Sequence, residues 1–228
     1  MSRLVIAVDG TSGSGKSSTS RGVADRLGLR YLDTGAQFRA MTWWMLTHGV
    51  DVHDPAAVAA HADEPVIESG TDPLAPTITL DGADVATQIR SDEVNAAVSP
   101  VSTVPAVRRR LLALQRQIID AAEDGIVVEG RDIGSVVWPQ AQVKLYLSAD
   151  AAARAERRAA EAGATDERSL KATRASLEAR DVIDSGRATA PLVRADGAVH
   201  VDTTPHTLDE VVDLVLGLVA ERVEKAEV

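Results

Sequence analysis

The segment Gly10–Ser17 contains the residue types needed to hold a row of phosphate groups. Its sequence, GTSGSGKS, fits the pattern G-x-x-x-x-G-K-[S/T] at every position. The glycines allow successive backbone N–H groups to point at phosphate oxygens, and a following helix adds partial positive charge. Lys16 could then reach the β- and γ-phosphates, and the Ser17 hydroxyl could ligate Mg²⁺. The predicted nucleoside triphosphate site comprises Gly10, Thr11, Ser12, Gly13, Ser14, Gly15, Lys16, Ser17 and Ser18.

A second segment, VEGRDIG, begins at Val128 and places three charges directly after an apolar run. Burial of a charge is costly unless another group pairs with it, so these charges must meet partners. Glu129 could hold a Mg²⁺ water, orient Lys16 or form a structural ion pair with Arg131. Asp132 lies beyond the turn and is predicted to face the acceptor of the phosphoryl group.

A third segment, LDTGAQFR at 32–39, follows another predicted strand. Thr34 is predicted to cap the next helix, with Arg39 one turn further on. The carboxyl ends of parallel strands share one crevice, so Arg39 and Arg131 could converge on a single phosphate. Either arginine alone would more often form a surface ion pair. Together with the triphosphate site, they indicate a second anion site.

Apolar patterning predicts the elements that position these segments. Strands are predicted at 4–8, 29–32, 126–129, 143–147 and 198–201, and helices at 16–27, 36–47, 55–62, 91–98, 103–123, 151–162, 168–183 and 206–225. Their alternation predicts an α/β fold with a five-stranded parallel sheet between layers of helices. A stretch at about 65–90, rich in Pro and Gly with an alternating TITL, predicts a small antiparallel β insert.

Composition narrows the class of protein. The chain has 228 residues, 45% of them apolar, which suits one α/β domain with a small insert. A net charge of −10 argues against binding to long stretches of nucleic acid. The absence of cysteine excludes disulfides and thiolate metal sites. With no signal peptide and no apolar run of membrane-spanning length, we expect a cytoplasmic protein without a membrane partner. A monomer is the default expectation.

The triphosphate site alone leaves several activities open. A GTPase should carry N-K-x-D, and a mechanical ATPase an apolar run ending in Asp-Glu; the sequence contains neither. A kinase of a small acceptor remains, with UMP, dTMP or shikimate as possible acceptors. A nucleotide-dependent binding switch without turnover is the alternative from a different class.

Five segments in order resemble the bacterial cytidylate kinases. They are GTSGSGKS, LDTGAQFR, NAAVSPVSTVPAVRRRLLALQR at 95–116, EGRDIGSVVWP at 129–139 and ARDVIDSGRATAPL at 179–192. The resemblance covers nearly the whole chain, and the insert resembles the extended CMP-binding domain of that family. It implies a P-loop three-layer fold and Mg²⁺-dependent transfer of the γ-phosphate of ATP to CMP and dCMP. ATP and CMP or dCMP would be the partners, with Mg²⁺ as the cofactor.

The resemblance also implies roles for individual residues. Arg39 and Arg131 match ligands of the CMP phosphate, and Asp184 matches the residue that accepts from ribose hydroxyls. The residues that match those around the cytosine are Ser99, Arg108, Asp132 and Arg187. The implied CMP site comprises Thr34, Phe38, Arg39, Ser99, Arg108, Arg131, Asp132, Arg180, Asp184 and Arg187. The implied catalytic residues are Lys16, Arg131, Arg157 and Arg180. Two residues depart from the family pattern: Phe38 replaces a common tyrosine, and Glu129 replaces the usual aspartate.

The segment 151–187 is predicted to be a lid. Arg154, Arg157 and Arg158 share one helix face, a pattern that is often merely solvated. Gly163 and Ala164 break the predicted helix pair as a hinge would, and the family closes an arginine-bearing lid over the phosphates. The implied domains are a core of 1–34, 99–150 and 188–228, a CMP-binding domain of 35–98 and the lid.

Overall fold

The computed structural model describes residues 3–163, 166–187 and 190–226, without the side chains at 161, 162, 180, 225 and 226. The predicted α/β fold is confirmed. The strands are β1 (Val5–Gly10), β2 (Arg30–Asp33), β3 (Ile67–Ser69), β4 (Ile78–Leu80), β5 (Ala83–Asp84), β6 (Ile126–Gly130), β7 (Val143–Ser148) and β8 (Val199–Asp202). The helices are α1 (Lys16–Leu27), α2 (Thr34–Thr47), α3 (Pro55–Ala60), α4 (Asp92–Thr103), α5 (Pro105–Asp120), α6 (Ala151–Ala162), α7 (Glu167–Gly186) and α8 (Leu208–Ala226).

The main sheet has five parallel strands in the order β2-β6-β1-β7-β8. The central strands β1 and β6 are buried along their whole length because helices cover both faces of the sheet. The register of β1 with β6 aligns Asp9 with Gly130. The register of β2 with β6 aligns Asp33 with Glu129. Polar side chains at the ends of three neighbouring strands are thereby brought to one edge of the sheet.

Aliphatic cores hold the helices against this sheet. On one face, α1 and α8 pack with the strands through a cluster that includes Val23, Val211 and Val215. On the other face, α5 and the turn after β6 contribute Ile119 and Ile133. The low aromatic content of the chain is consistent with cores made mainly of Val, Ile, Leu and Ala.

The predicted antiparallel insert is present as a three-stranded sheet, β3-β4-β5. Ile67, Ile78 and Leu80 face inward and pack on α2 through Met41 and Trp44. Because the insert shares one core with α2, its position is linked to the helix that carries Arg39.

Two details of the predictions were wrong. The residue that caps α2 is Asp33, one residue earlier than the predicted Thr34. The Asp33 side chain accepts a hydrogen bond from the Ala36 backbone N–H at 3.0 Å. The Thr34 hydroxyl instead donates to the Glu129 carbonyl oxygen at 2.7 Å and ties the start of α2 to the end of β6. The helix predicted to end at 98 runs to Thr103, with Pro100 inside it.

Over the described ranges, no helix has both the length and the apolar character required to cross a bilayer.

Candidate active site

A cavity of about 570 Å³ lies over the carboxyl edge of the main sheet. The predicted site residues that line it are Ser12, Gly13, Ser14, Gly15, Lys16, Ser17, Ser18, Thr34, Phe38, Arg39, Arg108, Glu129, Arg131, Asp132, Arg157, Asp184 and Arg187. Gly10, Thr11 and Ser99 are not among the described residues that line it. The side chain of Arg180 lies outside the described part of the chain. Residues predicted from separate segments thus share one cavity.

The phosphate loop, residues 10–18, joins β1 to α1 in a conformation that depends on glycine. Gly10 has a φ of 147°, and a Cβ atom there would lie 1.9 Å from the Leu147 carbonyl oxygen. Gly15, with a φ of 85°, precedes α1 and has no side chain to cap it. The first-turn N–H groups of α1 therefore remain available to an anion. Lys16 folds back over the loop, and its Nζ donates to the Thr11 carbonyl oxygen at 2.7 Å.

Glu129 is buried at the end of β6 beside the phosphate loop. The hydroxyls of Tyr31 and Ser17 donate to its carboxylate. Burial, followed by the nearby Asp33 carboxylate, raises the pKa of Glu129 to about 7, whereas the positive charge of Lys16 opposes this rise. An ion pair between Glu129 and Arg131, one of the predicted alternatives, does not form. The sequence analysis did not predict Tyr31 as a partner of Glu129, because the pairing of β2 with β6 that brings the two together is visible only in the structure.

Arg131 lies between the phosphate loop and the predicted acceptor side of the cavity. Its Nη1 donates to the Gly10 carbonyl oxygen at 2.8 Å, and its Nε lies 3.1 Å from Asp184 Oδ2. The same Nη1 is 3.4 Å from Asp181 Oδ1. The guanidinium is therefore fixed by the loop and by two carboxylates of α7, at the boundary between the two predicted anion sites.

Asp132 and Arg108 form a buried ion pair on the predicted acceptor side, with 2.5 Å between Oδ2 and Nη2. Burial raises the pKa of Asp132, and the Arg108 charge opposes the rise. The guanidinium also lies over the Phe38 ring, 5.3 Å from its centroid. Arg187 Nη1 and Asp184 Oδ1 are 3.5 Å apart nearby. A charged edge, rigidly held and backed by an aromatic ring, is suited to reading a planar polar group.

The remaining acceptor-side residues lie around this pair. Arg39 lines the cavity, and its Nη1 donates to Asn95 Oδ1 at 2.7 Å. Ser99 is buried, and its carbonyl oxygen accepts from the Ser102 hydroxyl at 2.8 Å. Ser102 itself lines the cavity, and its carbonyl oxygen accepts from Arg108 at 3.1 Å. Sequence reasoning missed Ser102 and Asn95, although both lie in the segment that carries the resemblance.

Asp9 is a further residue that sequence reasoning missed. It is buried at the end of β1, and its carboxylate accepts from the backbone N–H groups of Ile133 and Gly134 at 2.7 and 2.8 Å. Burial raises its pKa to about 6, despite the lowering effect of the two N–H groups. Asp9 therefore ties the strand that leads into the phosphate loop to the turn that follows Asp132. The sequence did contain a signal for this role, because a carboxylate at the end of an otherwise apolar strand must find partners when it is buried.

The arginines of α6 contact the phosphate loop and its surroundings. Arg154 is buried and donates to the Ser12 carbonyl oxygen at 3.0 Å and to Asp181. Arg157 donates to the Thr203 hydroxyl and carbonyl oxygens at 2.9 and 2.6 Å. This face of α6 is thus turned to the cavity rather than merely solvated.

The predicted break after α6 is present. Gly163 ends the helix with a left-handed φ of 66°, and Ala164, the second residue of the predicted hinge, lies outside the described residues.

The oxygen donors beside the loop suit Mg²⁺. Ser17, Glu129 and Asp33 all line the cavity. Burial of Glu129 and repulsion between its carboxylate and that of Asp33 make it costly for both to be ionised without a cation. Within the described ranges, no cluster of three or more His, Cys, Asp or Glu could hold a metal ion by itself. Such a partial set fits an ion that keeps water ligands and binds substrate phosphates, as Mg²⁺ does.

Comparisons with known proteins identify the family of the chain. A family model described as cytidylate kinase matches residues 6–221. A cytidylate kinase of Streptomyces griseus is 57% identical over 218 residues, which cover 96% of this chain and 93% of the relative. One of Nocardia farcinica is 51% identical over 223 residues, covering 96% and 95%. A crystal structure of an uncharacterized protein from Eubacterium ventriosum has a TM-score of 0.50 at 10% identity, covers 96% of this chain and 99% of its own, and supports the fold alone. The chain therefore belongs to the cytidylate kinase family and is an ATP-dependent nucleoside monophosphate kinase.

Proposed function

We propose that the enzyme transfers the γ-phosphoryl group of MgATP to CMP and dCMP, producing ADP and CDP or dCDP. The observation that carries this proposal is the buried Asp132–Arg108 pair, which lines the same cavity as the phosphate loop. The names of the relatives, which are cytidylate kinases, support the same acceptor.

The chemistry of the pair favours cytosine over uracil. Cytosine presents an amino donor at position 4 and an acceptor at N3, whereas uracil presents an acceptor and a donor at these positions. An ionised carboxylate can only accept, so Asp132 suits the cytosine amino group and repels the uracil oxygen. Arg108 can donate to N3 or O2 of cytosine. A buried site that pairs one polar edge rejects the other, because its own groups are then left unpaired.

The transfer step requires charge stabilisation more than covalent catalysis. An oxygen of the acceptor phosphate attacks the γ-phosphorus in line, and the bond to the β–γ bridging oxygen breaks. We assign Lys16 and Arg157 to the donor phosphates, and Arg131 to the acceptor phosphate beside them. Arg180 is assigned the same kind of role by its match to the family. Ser17 and Glu129 would hold Mg²⁺ directly or through water, and the ion would neutralise charge on the donor phosphates.

We also propose that the chain is divided into a core, a CMP-binding domain of 35–98 and a lid of 151–187. The enzyme would act on small molecules as a monomer. Lid closure would exclude water, which otherwise competes as a phosphoryl acceptor. Hydrogen exchange over the lid should slow more with CMP plus a non-hydrolysable ATP analogue than with neither. Equal exchange in both states would contradict closure.

A coupled assay for ADP release, run with CMP, dCMP, UMP, dTMP and shikimate, tests the proposed reaction. We expect rapid release with CMP and dCMP and slow release with the other acceptors. Faster release with UMP, dTMP or shikimate would assign a different acceptor. Tight ATP binding without turnover of any acceptor would indicate a binding switch and overturn the proposal.

A further inference from the structure

Asp181 of α7 contacts the phosphate loop. Its Oδ1 accepts from the backbone N–H of Ser12 at 3.2 Å. Its Oδ2 accepts from Nη1 of Arg154, which also donates to the Ser12 carbonyl oxygen at 3.0 Å. One carboxylate of the lid thus contacts a loop amide and a lid arginine at the same point.

The same carboxylate meets the arginine at the boundary of the two anion sites. Asp181 Oδ1 lies 3.4 Å from Nη1 of Arg131, which is also bound by the Gly10 carbonyl oxygen. The side chains of Asp181, Arg131 and Arg154 are 16%, 13% and 8% exposed. Charges this far from water are weakly screened, so the contacts hold the carboxylate firmly.

These three donors are of the kinds that bind phosphate. Backbone N–H groups of a glycine-rich loop and arginine guanidiniums are the usual ligands of phosphate oxygens. The proposed reaction assigns the Ser12 region to ATP and Arg131 to the acceptor phosphate. The Asp181 carboxylate is therefore held by an amide of one proposed site and an arginine of the other.

We infer that Asp181 determines the apparent affinity for ATP by competing, as an internal anion, for the donors of the phosphate site. In the proposed reaction the Ser12 N–H belongs to the ATP site, and Asp181 occupies this donor. ATP phosphates carry charge of the same sign as the carboxylate, so ATP binding must displace Asp181. The apparent dissociation constant of a ligand rises as the fraction of molecules in the competent state falls. The inference rests on the proposed function, because it takes from it the ligands of the loop and of Arg131.

Asp181→Asn tests the inference, because the amide keeps the shape and one acceptor oxygen but removes the charge. Titration calorimetry with a non-hydrolysable MgATP analogue should show a roughly tenfold lower Kd than in the wild type, if about one molecule in ten is competent without ligand. Asp181→Glu keeps the charge and should not tighten binding. Glu178→Gln is the matched control on the same helix, since Glu178 is half-exposed and pairs with Arg174 at 3.0 Å. It should leave the Kd unchanged within about twofold.

Tighter binding separates competition from a merely structural role, because damage to the lid would weaken binding. An unchanged or higher Kd in Asp181→Asn would overturn the inference and indicate that Asp181 positions the arginines instead. If Asp181→Asn does not fold, Asp181→Ser carries the same expectation. A wild type that fails to phosphorylate CMP would defeat the proposed function, whereas an active wild type with no tightening in the variant defeats this inference alone.

Discussion

The two halves of the cavity are built in different ways. The proposed donor half is the phosphate loop, a single stretch of nine residues, of which residues 12–18 line the cavity. The proposed acceptor half consists of cavity-lining side chains from α2, α5, the end of α7 and the turn after β6, among them Arg39, Arg108, Asp132 and Arg187. A backbone site binds any triphosphate, because phosphates present the same oxygens whatever base they carry. A side-chain site can distinguish one base from another.

The largest effect should come from the donor half. Lys16→Ala removes positive charge that acts most strongly on the transferring phosphoryl group, so kcat should fall by roughly 10²–10⁴-fold for every acceptor. Steady-state kinetics with CMP and UMP measure this loss. Lys171→Ala, at an exposed position of α7, is the control and should retain wild-type kcat. Near-normal turnover by a folded Lys16→Ala protein would contradict the assigned role of the loop.

In the acceptor half, the expected effect depends on the base. Asp132→Asn should lower kcat/KM for CMP by roughly 1.5–3 kcal/mol of transition-state stabilisation and affect UMP much less. The CMP/UMP ratio should therefore narrow more than about tenfold, with the KM for ATP nearly unchanged. Asparagine can still accept from Arg108, which limits damage to the fold. Asp124→Asn, exposed just before β6, is the control. An equal loss for CMP and UMP would assign Asp132 to the donor side.

A smaller effect, on stability, should appear at Glu129, where the two halves meet. Its pKa rises from 4.5 to about 7 on folding because burial disfavours the charge. The folded state thus binds more protons than the unfolded state between these values, and the wild-type free energy of unfolding falls as pH rises through this window. Glutamine cannot ionise, so the free energy of unfolding of Glu129→Gln should be about 1–3 kcal/mol higher than that of the wild type at pH 8.

The pH dependence of this difference provides the check. Thermal unfolding of the wild type and Glu129→Gln should differ most at pH 8 and progressively less towards pH 4.5. The variant should also lose activity, because a carboxylate beside the phosphate loop is removed. A variant less stable than the wild type at pH 8 would show that the Glu129 charge stabilises the fold.

The two halves also differ in how far the sequence predicts them. The phosphate loop was predicted residue by residue, because its chemistry depends on a contiguous pattern. The parallel sheet and the antiparallel insert followed from local apolar periodicity and turn residues. In the proposed acceptor half, most residues implied by the resemblance line one cavity, but the partners of their side chains were not predicted. Asp9 with Ile133 and Tyr31 with Glu129 are 124 and 98 residues apart in the sequence. Such pairs are defined by strand order and register, which single-sequence patterns do not specify.

The separation of donor and acceptor halves is tested most directly by crossed binding measurements on Lys16→Ala and Asp132→Asn. Titration calorimetry would measure the Kd of each variant for a non-hydrolysable MgATP analogue and, separately, for CMP. We expect Lys16→Ala to weaken binding of the ATP analogue and leave CMP within about twofold, and Asp132→Asn to do the reverse. If either variant weakens both ligands equally, the cavity is not divided in this way, and the roles assigned to the residues of Glu129–Asp132 would be wrong.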